Sequence, residues 1–263
     1  MDFSDILKKA RDILTPTKHT TAIILAAGSG ERFSADAGEL AGIKKQFVPV
    51  LGKPVLLRTA EAFEASSLVD DIIIVSGEEE IGLCRELLSP TVSKLKCVVK
   101  GGATRQESAM AGLEAVDPKT DFIAIHDGAR CLITSEIIDN VIREAYHTGA
   151  AAAAERAVDT VKYAANDLTI ENTIDRDHVW LMKTPQIFTA NLYRAAVYSA
   201  FKEGAAVTDD CMLAERLGFK VRVVDCGHEN IKLTYAVDRV IAEAILTERQ
   251  RRETQTLKEN KTK

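Results

Sequence analysis

Short apolar runs that alternate with helix-like segments are the feature that most constrains how this chain of 263 residues can fold. Strands are predicted at residues 21–27, 71–76, 96–100 and 121–127. Helices are predicted at residues 55–66, 80–88, 104–116 and 135–149. The strands read as nearly continuous apolar runs, which is typical of a parallel sheet covered on both faces. The alternation therefore predicts an α/β fold: a three-layer, mostly parallel, Rossmann-like sheet.

The alternation stops in residues 150–185. Two β-like segments on either side of a polar turn occupy residues 157–164 and 168–174. This pattern predicts a β-arm that protrudes from the sheet over about residues 155–178. The rest of the chain is predicted to form a helix, a strand and a last helix at residues 190–202, 220–225 and 236–253.

The domain organisation follows from the same pattern. It consists of a helical N-terminal extension at 1–20, a single domain at 21–253 and a charged tail at 254–263. The extension has apolar residues at helical spacing and three aspartates, so it resembles neither a signal peptide nor a basic transit peptide. No apolar run reaches the length of a membrane span, and no membrane partner is expected.

Composition narrows the class of protein. The net charge of −5 argues against a nucleic-acid partner held by broad electrostatic attraction, although local basic clusters can still bind phosphates. The five cysteines are widely spaced, which argues against a zinc site or a disulfide framework and favours a reducing, cytoplasmic location. Cys131 is interpreted as a small, half-buried residue rather than a nucleophile, because no base for it can be identified.

Ligands of open parallel sheets bind beyond the carboxyl ends of the strands, so the segment after the first strand is a candidate ligand-binding loop. It reads AAGSGER at 26–32, and KKQF follows at 44–47. Two glycines let backbone amides approach an anion, and Arg32 adds a delocalised charge. Phe33 stands where a Rossmann loop needs its third glycine, and the Walker spacing is absent. The remaining interpretations are a structural turn, or a loop that grips a nucleoside triphosphate through main-chain amides, Arg32 and Lys45.

Two further strand ends carry polar residues. The run GGATRQES after residue 100 opens a helix, and helix N-termini favour anionic or polar ligands. Arg105 in this run is either a ligand contact or an ordinary surface residue. The next strand ends in His126 and Asp127, whose side chains point to opposite faces and therefore do not form a catalytic dyad. Asp127 suits a metal or a substrate hydroxyl, and His126 is interpreted as a core histidine.

Nine sequence pieces occur in a fixed order over about residues 21–245: AAGSGERF, KKQF, GGATRQESAMAGL, HDGAR, DTVK, DR-x-x-x-W, TPQ, VTDD and ENIKLT. Together they resemble the family of 2-C-methyl-D-erythritol 4-phosphate cytidylyltransferases, nucleotidyltransferases with a GT-A-like fold that act in the non-mevalonate isoprenoid route. The resemblance implies transfer of CMP from CTP to 2-C-methyl-D-erythritol 4-phosphate, giving 4-diphosphocytidyl-2-C-methyl-D-erythritol and pyrophosphate. It also implies Mg²⁺ bound mainly through the CTP phosphates, and a homodimer whose β-arm crosses to the partner subunit.

The same resemblance implies a role for each matching residue. The catalytic residues would be Arg32, Lys45, Arg176 and Lys232. Those that bind the nucleotide would be Ala26, Ala27, Gly28, Gly102, Arg105, Ser108 and Asp127. Those that bind the acceptor would be Asp127, Arg130, Thr160, Arg176 and Lys232. No residue is assigned as a metal ligand. Thr160 and Arg176 lie in the arm, so they would complete the site of the partner subunit.

The chemistry implied by the resemblance places modest demands on the protein. A phosphate nucleophile is already ionised near neutral pH, so no general base is required. Arg32 would bridge two phosphate oxygens as a planar fork, and Lys45 would supply a compact charge. The chain departs from the family pattern at Lys44, where proline is common, at Lys183, where glutamine is frequent, and at Cys131, where proline is usual. The loop between Arg32 and Lys45 is also longer than usual.

Other functions stay open on the sequence alone. A cytidylyltransferase acting on a pentitol phosphate such as ribitol 5-phosphate would share most of these motifs. A sugar-1-phosphate nucleotidyltransferase and an NAD-dependent oxidoreductase are disfavoured by the glycine loop, and a non-catalytic nucleotide-binding protein on the same fold is a further alternative. Asp209 and Asp210 are interpreted as caps of a helix that begins near Cys211. Trp180 is interpreted as an anchor of the core or of the arm.

Overall fold

The central sheet has seven strands, and the order of these strands in space differs from their order in the sequence. The computed structural model describes residues 18–30, Phe33, Gly38 and 42–261. Its strands are β1 (Thr20–Leu25), β2 (Pro49–Val50), β3 (Lys53–Pro54), β4 (Asp71–Ser76), β5 (Leu95–Lys100), β6 (Phe122–Asp127), β7 (Ala150–Arg156), β8 (Val161–Ala164), β9 (Ile170–Ile174), β10 (Trp180–Thr189) and β11 (Arg222–Asp225). The sheet order is β11-β7-β10-β6-β1-β4-β5.

Helices follow most of the strands. They are α1 (Val55–Glu64), α2 (Ile81–Leu88), α3 (Arg105–Glu114), α4 (Ser135–Thr148), α5 (Ala190–Glu203), α6 (Asp210–Arg216) and α7 (Ala236–Lys261). Short 3₁₀ turns occur at Lys45–Phe47, Glu78–Glu80 and Arg176–His178. Gly149 ends α4 with a φ of 84°, a left-handed conformation that glycine adopts without strain, as its position after the predicted helix suggested.

The predicted three-layer, mostly parallel α/β fold is confirmed. Strands β6, β1, β4 and β5 run parallel to one another, and β11 runs parallel to β7. Strand β10 is antiparallel to both of its neighbours. Ile24 and Ile74 pack on one side of the sheet with Phe63 of α1, whereas Ile23 and Val75 pack on the other side. The two isoleucines of β1 thus serve opposite layers, which is why the strand is apolar throughout.

Strand β7 was not predicted. Its residues 150–154 are all alanine, and alanine is depleted in strands because its small side chain gains little from packing on a pleated surface. Tertiary context decides the matter, since β7 pairs with β10 on one side and β11 on the other and all five alanines are buried.

The hairpin formed by β8 and β9 stands apart from the main sheet. Its two strands lie within the range predicted for the β-arm, and most of its side chains are exposed. The exposed apolar residues of this segment are Val158, Tyr163, Leu168, Ile170 and Ile174. Below it, the guanidinium of Arg156 lies 4.6 Å from the ring centroid of Trp180, so Trp180 packs at the base of the hairpin.

The last helix is longer than predicted, because it continues past residue 253 to Lys261. Its exposed turns carry side-chain pairs one turn apart, such as Arg252 with Glu248 and Gln255 with Glu259. Such pairs stabilise exposed helices without tertiary packing. Residues 1–17 of the predicted N-terminal extension lie outside the described residues. Within residues 18–30, 33, 38 and 42–261, no helix is both long and apolar enough to span a membrane.

Candidate active site

A cavity of about 550 Å³ lies at the carboxyl ends of β1, β5 and β6. Nine of the predicted site residues line it: Ala26, Ala27, Gly28, Lys45, Gly102, Arg105, Ser108, Asp127 and Lys232. The remaining lining residues include Ser29, Lys44, Gln46 and Thr104. The topology brings these segments together because the carboxyl ends of parallel strands meet at one edge of the sheet.

The loop after β1 is held by backbone and side-chain hydrogen bonds. Ala26 donates its amide to the carbonyl of Val75 (2.7 Å), and its own carbonyl accepts a hydrogen bond from Nε2 of buried Gln46 (2.9 Å). A Cβ at Gly128 would lie 3.0 Å from the carbonyl oxygen of Leu25, so glycine lets the end of β6 lie close to this loop without displacing it. Gln46 ties the KKQF segment to the first loop, a link that sequence reasoning missed.

The second loop is built around the start of α3. Thr104 caps the helix by accepting a hydrogen bond from the amide of Glu107 (3.1 Å), and the Glu107 carboxylate accepts one from the amide of Ala103 (2.7 Å). The Ser108 hydroxyl accepts a hydrogen bond from the amide of Gly102 (3.2 Å). A side chain at Gly101 would collide with Ala27 and Ser108, so this glycine lets the two loops meet. The Thr-x-x-Glu spacing was the sequence signal for this cap.

Arg105 bridges two carboxylates that are distant in sequence. Its Nη2 lies 2.7 Å from Oδ2 of Asp210, and its Nε lies 3.7 Å from Oδ1 of Asp127. Burial opposes the charged form of Arg105, but the charges of Asp210 and Asp127 outweigh it and raise its pKa above the ordinary value. Tyr193 donates a hydrogen bond to the other oxygen of Asp210 (2.7 Å). Arg105 is therefore a fixed cation on the cavity wall and not an ordinary surface residue.

Asp127 is the carboxylate on which the cations of the site converge. Lys232 Nζ lies 2.9 Å and Arg130 Nε lies 3.4 Å from its Oδ2. Burial alone would raise the pKa of Asp127, but the positive charges of Lys232, Arg105 and Arg130 hold it well below its usual range. Asp127 is thus ionised throughout the physiological pH range.

Arg130 is predicted to bind the acceptor, and the structure describes it as an internal residue next to Asp127. Its side chain is buried behind Asp127, and its Nη1 donates to the carbonyl oxygen of Asn230 (2.9 Å). Arg130 is not one of the described residues that line the cavity. The structure places Arg130 where it fixes Asp127 and the segment that carries Lys232.

His126 lies on the opposite side of β6 from Asp127, as predicted, and it is fully buried against Phe63. The Arg130 carbonyl can only accept, so Nε2 of the neutral His126 imidazole carries the hydrogen that faces it (3.4 Å). Nδ1 then accepts from the Thr184 hydroxyl (3.0 Å), whose oxygen in turn accepts from the Asp127 amide (3.0 Å). Burial lowers the pKa of His126 to about 3, so the imidazole is a neutral structural group.

Gln186 is a supporting residue that sequence reasoning missed. Its Oε1 accepts hydrogen bonds from the amides of Asp210 (2.9 Å) and Cys211 (3.0 Å), and its Nε2 donates to Asp209 (2.9 Å). The cap interpretation is correct for Asp209, which accepts from the amide of Met212 (3.0 Å), and wrong for Asp210, which pairs with Arg105. The TPQ piece of the sequence was the available signal for Gln186.

Two predicted site residues, Thr160 and Arg176, lie away from this cavity. Thr160 and Arg176 belong to the exposed hairpin region, where Arg176 Nη1 donates to the carbonyl of Val158 (2.6 Å), and neither lines the described cavity. Arg32 lies outside the described residues. Burial raises the pKa of Cys131 to about 11, which keeps the thiol protonated and agrees with its interpretation as a packing residue.

The described lining residues include one carboxylate, Asp127, which already faces three cations. Within the part of the chain that the structure describes, no three His, Cys, Asp or Glu side chains are grouped as a metal site. The chemistry of the cavity wall is therefore that of an anion-binding surface formed from main-chain loops, lysines and a fixed arginine.

An open α/β sheet whose glycine loops and cations converge at the carboxyl edge defines a nucleotide-binding protein of the nucleotidyltransferase class. The family model of 2-C-methyl-D-erythritol 4-phosphate cytidylyltransferase matches residues 20–248. The enzyme of that name from Clostridium acetobutylicum is 40% identical over 227 residues, which cover 86% of this chain and 96% of the relative. The one from Geobacter metallireducens is 41% identical over 233 residues, which cover 87% of this chain and 97% of the relative.

A solved structure agrees with these matches. The 4-diphosphocytidyl-2C-methyl-D-erythritol synthase from Anaerococcus prevotii superposes with a TM-score of 0.79 at 30% identity, over 88% of this chain and 97% of that chain. The chain belongs to the 2-C-methyl-D-erythritol 4-phosphate cytidylyltransferase family. The resemblance found in the sequence is thereby confirmed, and the protein is an enzyme of the nucleotidyltransferase class.

Proposed function

We propose that this chain transfers CMP from CTP to 2-C-methyl-D-erythritol 4-phosphate, producing 4-diphosphocytidyl-2-C-methyl-D-erythritol and pyrophosphate for isoprenoid precursor synthesis. The observation that carries the proposal is one cavity that joins the Ala26–Gly28 loop, Lys45, Asp127 and Lys232. Family membership names the reaction, and this arrangement supplies the groups that such a reaction needs.

The bond changes are simple. An oxygen of the acceptor phosphate forms a bond to the α-phosphorus of CTP, and the bond from the α-phosphorus to the bridging oxygen of pyrophosphate breaks. Catalysis of such a displacement depends on positioning and on charge stabilisation. Lys45 lines the cavity next to the first loop, where a Cβ at Gly30 would lie 3.4 Å from its Cγ. Lys45 and Arg32 are assigned to the negative charge that grows at the α-phosphorus.

The acceptor phosphate is assigned to Lys232. Its ammonium group has three hydrogens, and Asp127 accepts one of them at 2.9 Å. The others are available to phosphate oxygens without loss of this ion pair. Because Asp127 stays ionised, it holds Lys232 in place while the dianionic acceptor approaches the triphosphate. Arg130 serves this site by positioning Asp127, although its predicted role was direct contact with the acceptor.

The cytosine and ribose are assigned to the loop around α3. Gly102, Arg105 and Ser108 all line the cavity, and Ser108 and Arg105 are fixed by the hydrogen bonds to Gly102 and Asp210. Ala26, Ala27 and Gly28 present the main chain to the ribose and phosphates. A wall that is rigid before binding loses little conformational entropy when the nucleotide arrives.

Mg²⁺ is proposed as the cofactor, held mainly by the CTP phosphates. Asp127 is the carboxylate among the described lining residues, and its three cationic neighbours leave it poorly suited to act as the principal ligand. Mg²⁺ commonly retains water and binds through substrate phosphates in such sites. When bound, the ion neutralises part of the charge on the triphosphate and the leaving pyrophosphate.

The enzyme is proposed to be a homodimer in which Thr160 and Arg176 complete the partner subunit's site. Supporting this, the hairpin region exposes Val158, Tyr163 and Ile170, and exposed apolar side chains favour association.

A cytoplasmic location is proposed as well. The five cysteines are unpaired thiols, which fits a reducing compartment.

Pyrophosphate release from CTP and Mg²⁺ tests the function, with 2-C-methyl-D-erythritol 4-phosphate and D-ribitol 5-phosphate compared as acceptors. We expect release with the first acceptor and little with the second. Pyrophosphate release with ribitol 5-phosphate alone would show that the enzyme is a cytidylyltransferase that acts on a pentitol phosphate. If CTP binds but no pyrophosphate is released with either acceptor present, the proposed reaction is contradicted.

A further inference from the structure

Lys44 lines the nucleotide cavity beside Lys45, although the family pattern commonly has proline at this position. Its ammonium Nζ lies 2.5 Å from Oε1 of Glu80, at the end of the 3₁₀ turn that follows β4. The side chain of Lys44 is 40% exposed, whereas that of Glu80 is 12% exposed. The ion pair therefore presents its positive end to the open side and keeps its negative end buried.

The buried carboxylate fixes the lysine without exhausting its donors. Glu80 uses Oε1 for Lys44, and within the described residues its buried Oε2 has no hydrogen-bond partner. Removing Lys44 from Glu80 would leave that buried charge uncompensated, so the pair is expected to persist when a ligand binds. An ammonium group has three hydrogens, and one contact with Glu80 leaves two for a second anion.

We infer that Lys44 is a further phosphate-binding residue of this enzyme, which contacts the β- or γ-phosphate of CTP and afterwards the leaving pyrophosphate. The inference rests on the proposed function, since it assumes that CTP occupies the cavity. Lys44 lies in the same wall as Gly28, Ser29 and Lys45, the segment assigned to the phosphates. Lys44 adds a positive charge beside Lys45 on the cavity lining, and a charge-assisted hydrogen bond from it to a phosphate oxygen would strengthen triphosphate binding.

The backbone at Lys44 allows a clean test. Its φ of −62° and ψ of 136° are values that proline adopts, so Lys44→Pro removes the charge and keeps the local conformation. Lys44→Gln removes the charge and retains much of the side-chain length, and Lys44→Arg retains the charge. Lys53 is a matched control, because it is 39% exposed and paired with Glu61 at 2.6 Å but does not line the described cavity.

The experiment measures the dissociation constants of CTP, inorganic pyrophosphate and CMP by calorimetry, with Mg²⁺ present. Lys44→Gln and Lys44→Pro are expected to weaken CTP and pyrophosphate about tenfold, the loss of one charge-assisted hydrogen bond, and to leave CMP within about twofold. Lys44→Arg should retain most of the affinity, and Lys53→Gln should match the wild type.

Two results would overturn the inference. Unchanged CTP and pyrophosphate affinity in Lys44→Gln would show that Lys44 does not contact phosphate. Equal weakening of CMP and CTP would assign Lys44 to the nucleoside or to the shape of the loop. A wild-type protein that fails to bind CTP would instead contradict the proposed function, so the two failures are distinguishable.

Discussion

Lys232 and Asp127 form an ion pair of 2.9 Å that joins the end of β6 to the segment before α7, 105 residues further along the chain. The connection is reinforced by the amide of Leu233, which donates to the carbonyl of Ala129 (2.9 Å). Arg130 contacts the same carboxylate oxygen at 3.4 Å. One aspartate thus determines where the cation assigned to the acceptor phosphate lies.

Asp127→Asn should therefore disable the site and destabilise the fold. The change removes the anion that compensates Lys232, Arg105 and Arg130, so we expect kcat/KM to fall by about 100-fold or more, about 3 kcal/mol of lost transition-state stabilisation. The free energy of unfolding should fall by about 3 kcal/mol, because buried Arg130 loses its carboxylate partner and the half-buried Lys232 loses its ion pair. Steady-state kinetics and urea unfolding measure both effects.

The control for this change is Asp117→Asn, which weakens the exposed ion pair with Lys96 (3.6 Å). Its effect on stability should be small compared with that of Asp127→Asn, as is usual for surface pairs. Wild-type activity and stability in Asp127→Asn would contradict the central role of this carboxylate.

Lys45→Ala and Arg32→Ala should lower turnover much more than nucleotide affinity. Both residues are assigned to charge that develops at the α-phosphorus in the transition state, so kcat should fall by about 100- to 1000-fold. The dissociation constant of CTP, measured by calorimetry, should rise by less than about tenfold. Equal losses in kcat and in affinity would assign these residues to ground-state binding instead.

Thr160→Ala and Arg176→Ala should chiefly raise the KM of the acceptor, by about tenfold or more, because each removes hydrogen bonds to a phosphate. The sharper experiment mixes subunits. A Lys45→Ala variant and an Arg176→Ala variant, each poorly active alone, should regain activity as mixed dimers, since one of the two shared sites then contains both intact residues. Absence of recovery in dimers that demonstrably exchange subunits would exclude a shared site.

His126 should make the stability of the enzyme depend on pH below about 6.5, and between about pH 6.5 and 5 carboxylates contribute little to this dependence. The folded protein keeps the imidazole neutral because burial lowers its pKa to about 3, whereas the unfolded chain takes up a proton below about pH 6.5. The free energy of unfolding should therefore fall as the pH drops from about 6.5 towards 3, by up to about 1.4 kcal/mol per pH unit.

Urea unfolding midpoints at about pH 7.5, 6 and 5 measure this dependence. His126→Gln provides the comparison, since it has no titrating group at this position and should lose much of the slope between about pH 6.5 and 5. An identical slope in the two proteins would mean that other groups cause the pH dependence.

The sequence by itself determined the strand–helix alternation, the two glycine loops and the opposed directions of His126 and Asp127. These features depend on local periodicity, on the conformational freedom of glycine and on the pleat of a strand, all of which can be read over a few residues. The same local information indicated that Ala26–Gly28 and Asp127 follow strands whose ends meet at one edge.

Tertiary structure alone decided which charges meet. Arg105 pairs with Asp210, and Lys44 pairs with Glu80, although nothing in the spacing of these residues indicates a contact. It also decided that a run of five alanines forms the buried strand β7, and that Arg130 lies behind Asp127. The physical reason is common to all of them: burial and ion pairing depend on neighbours distant in sequence, which local propensity does not encode.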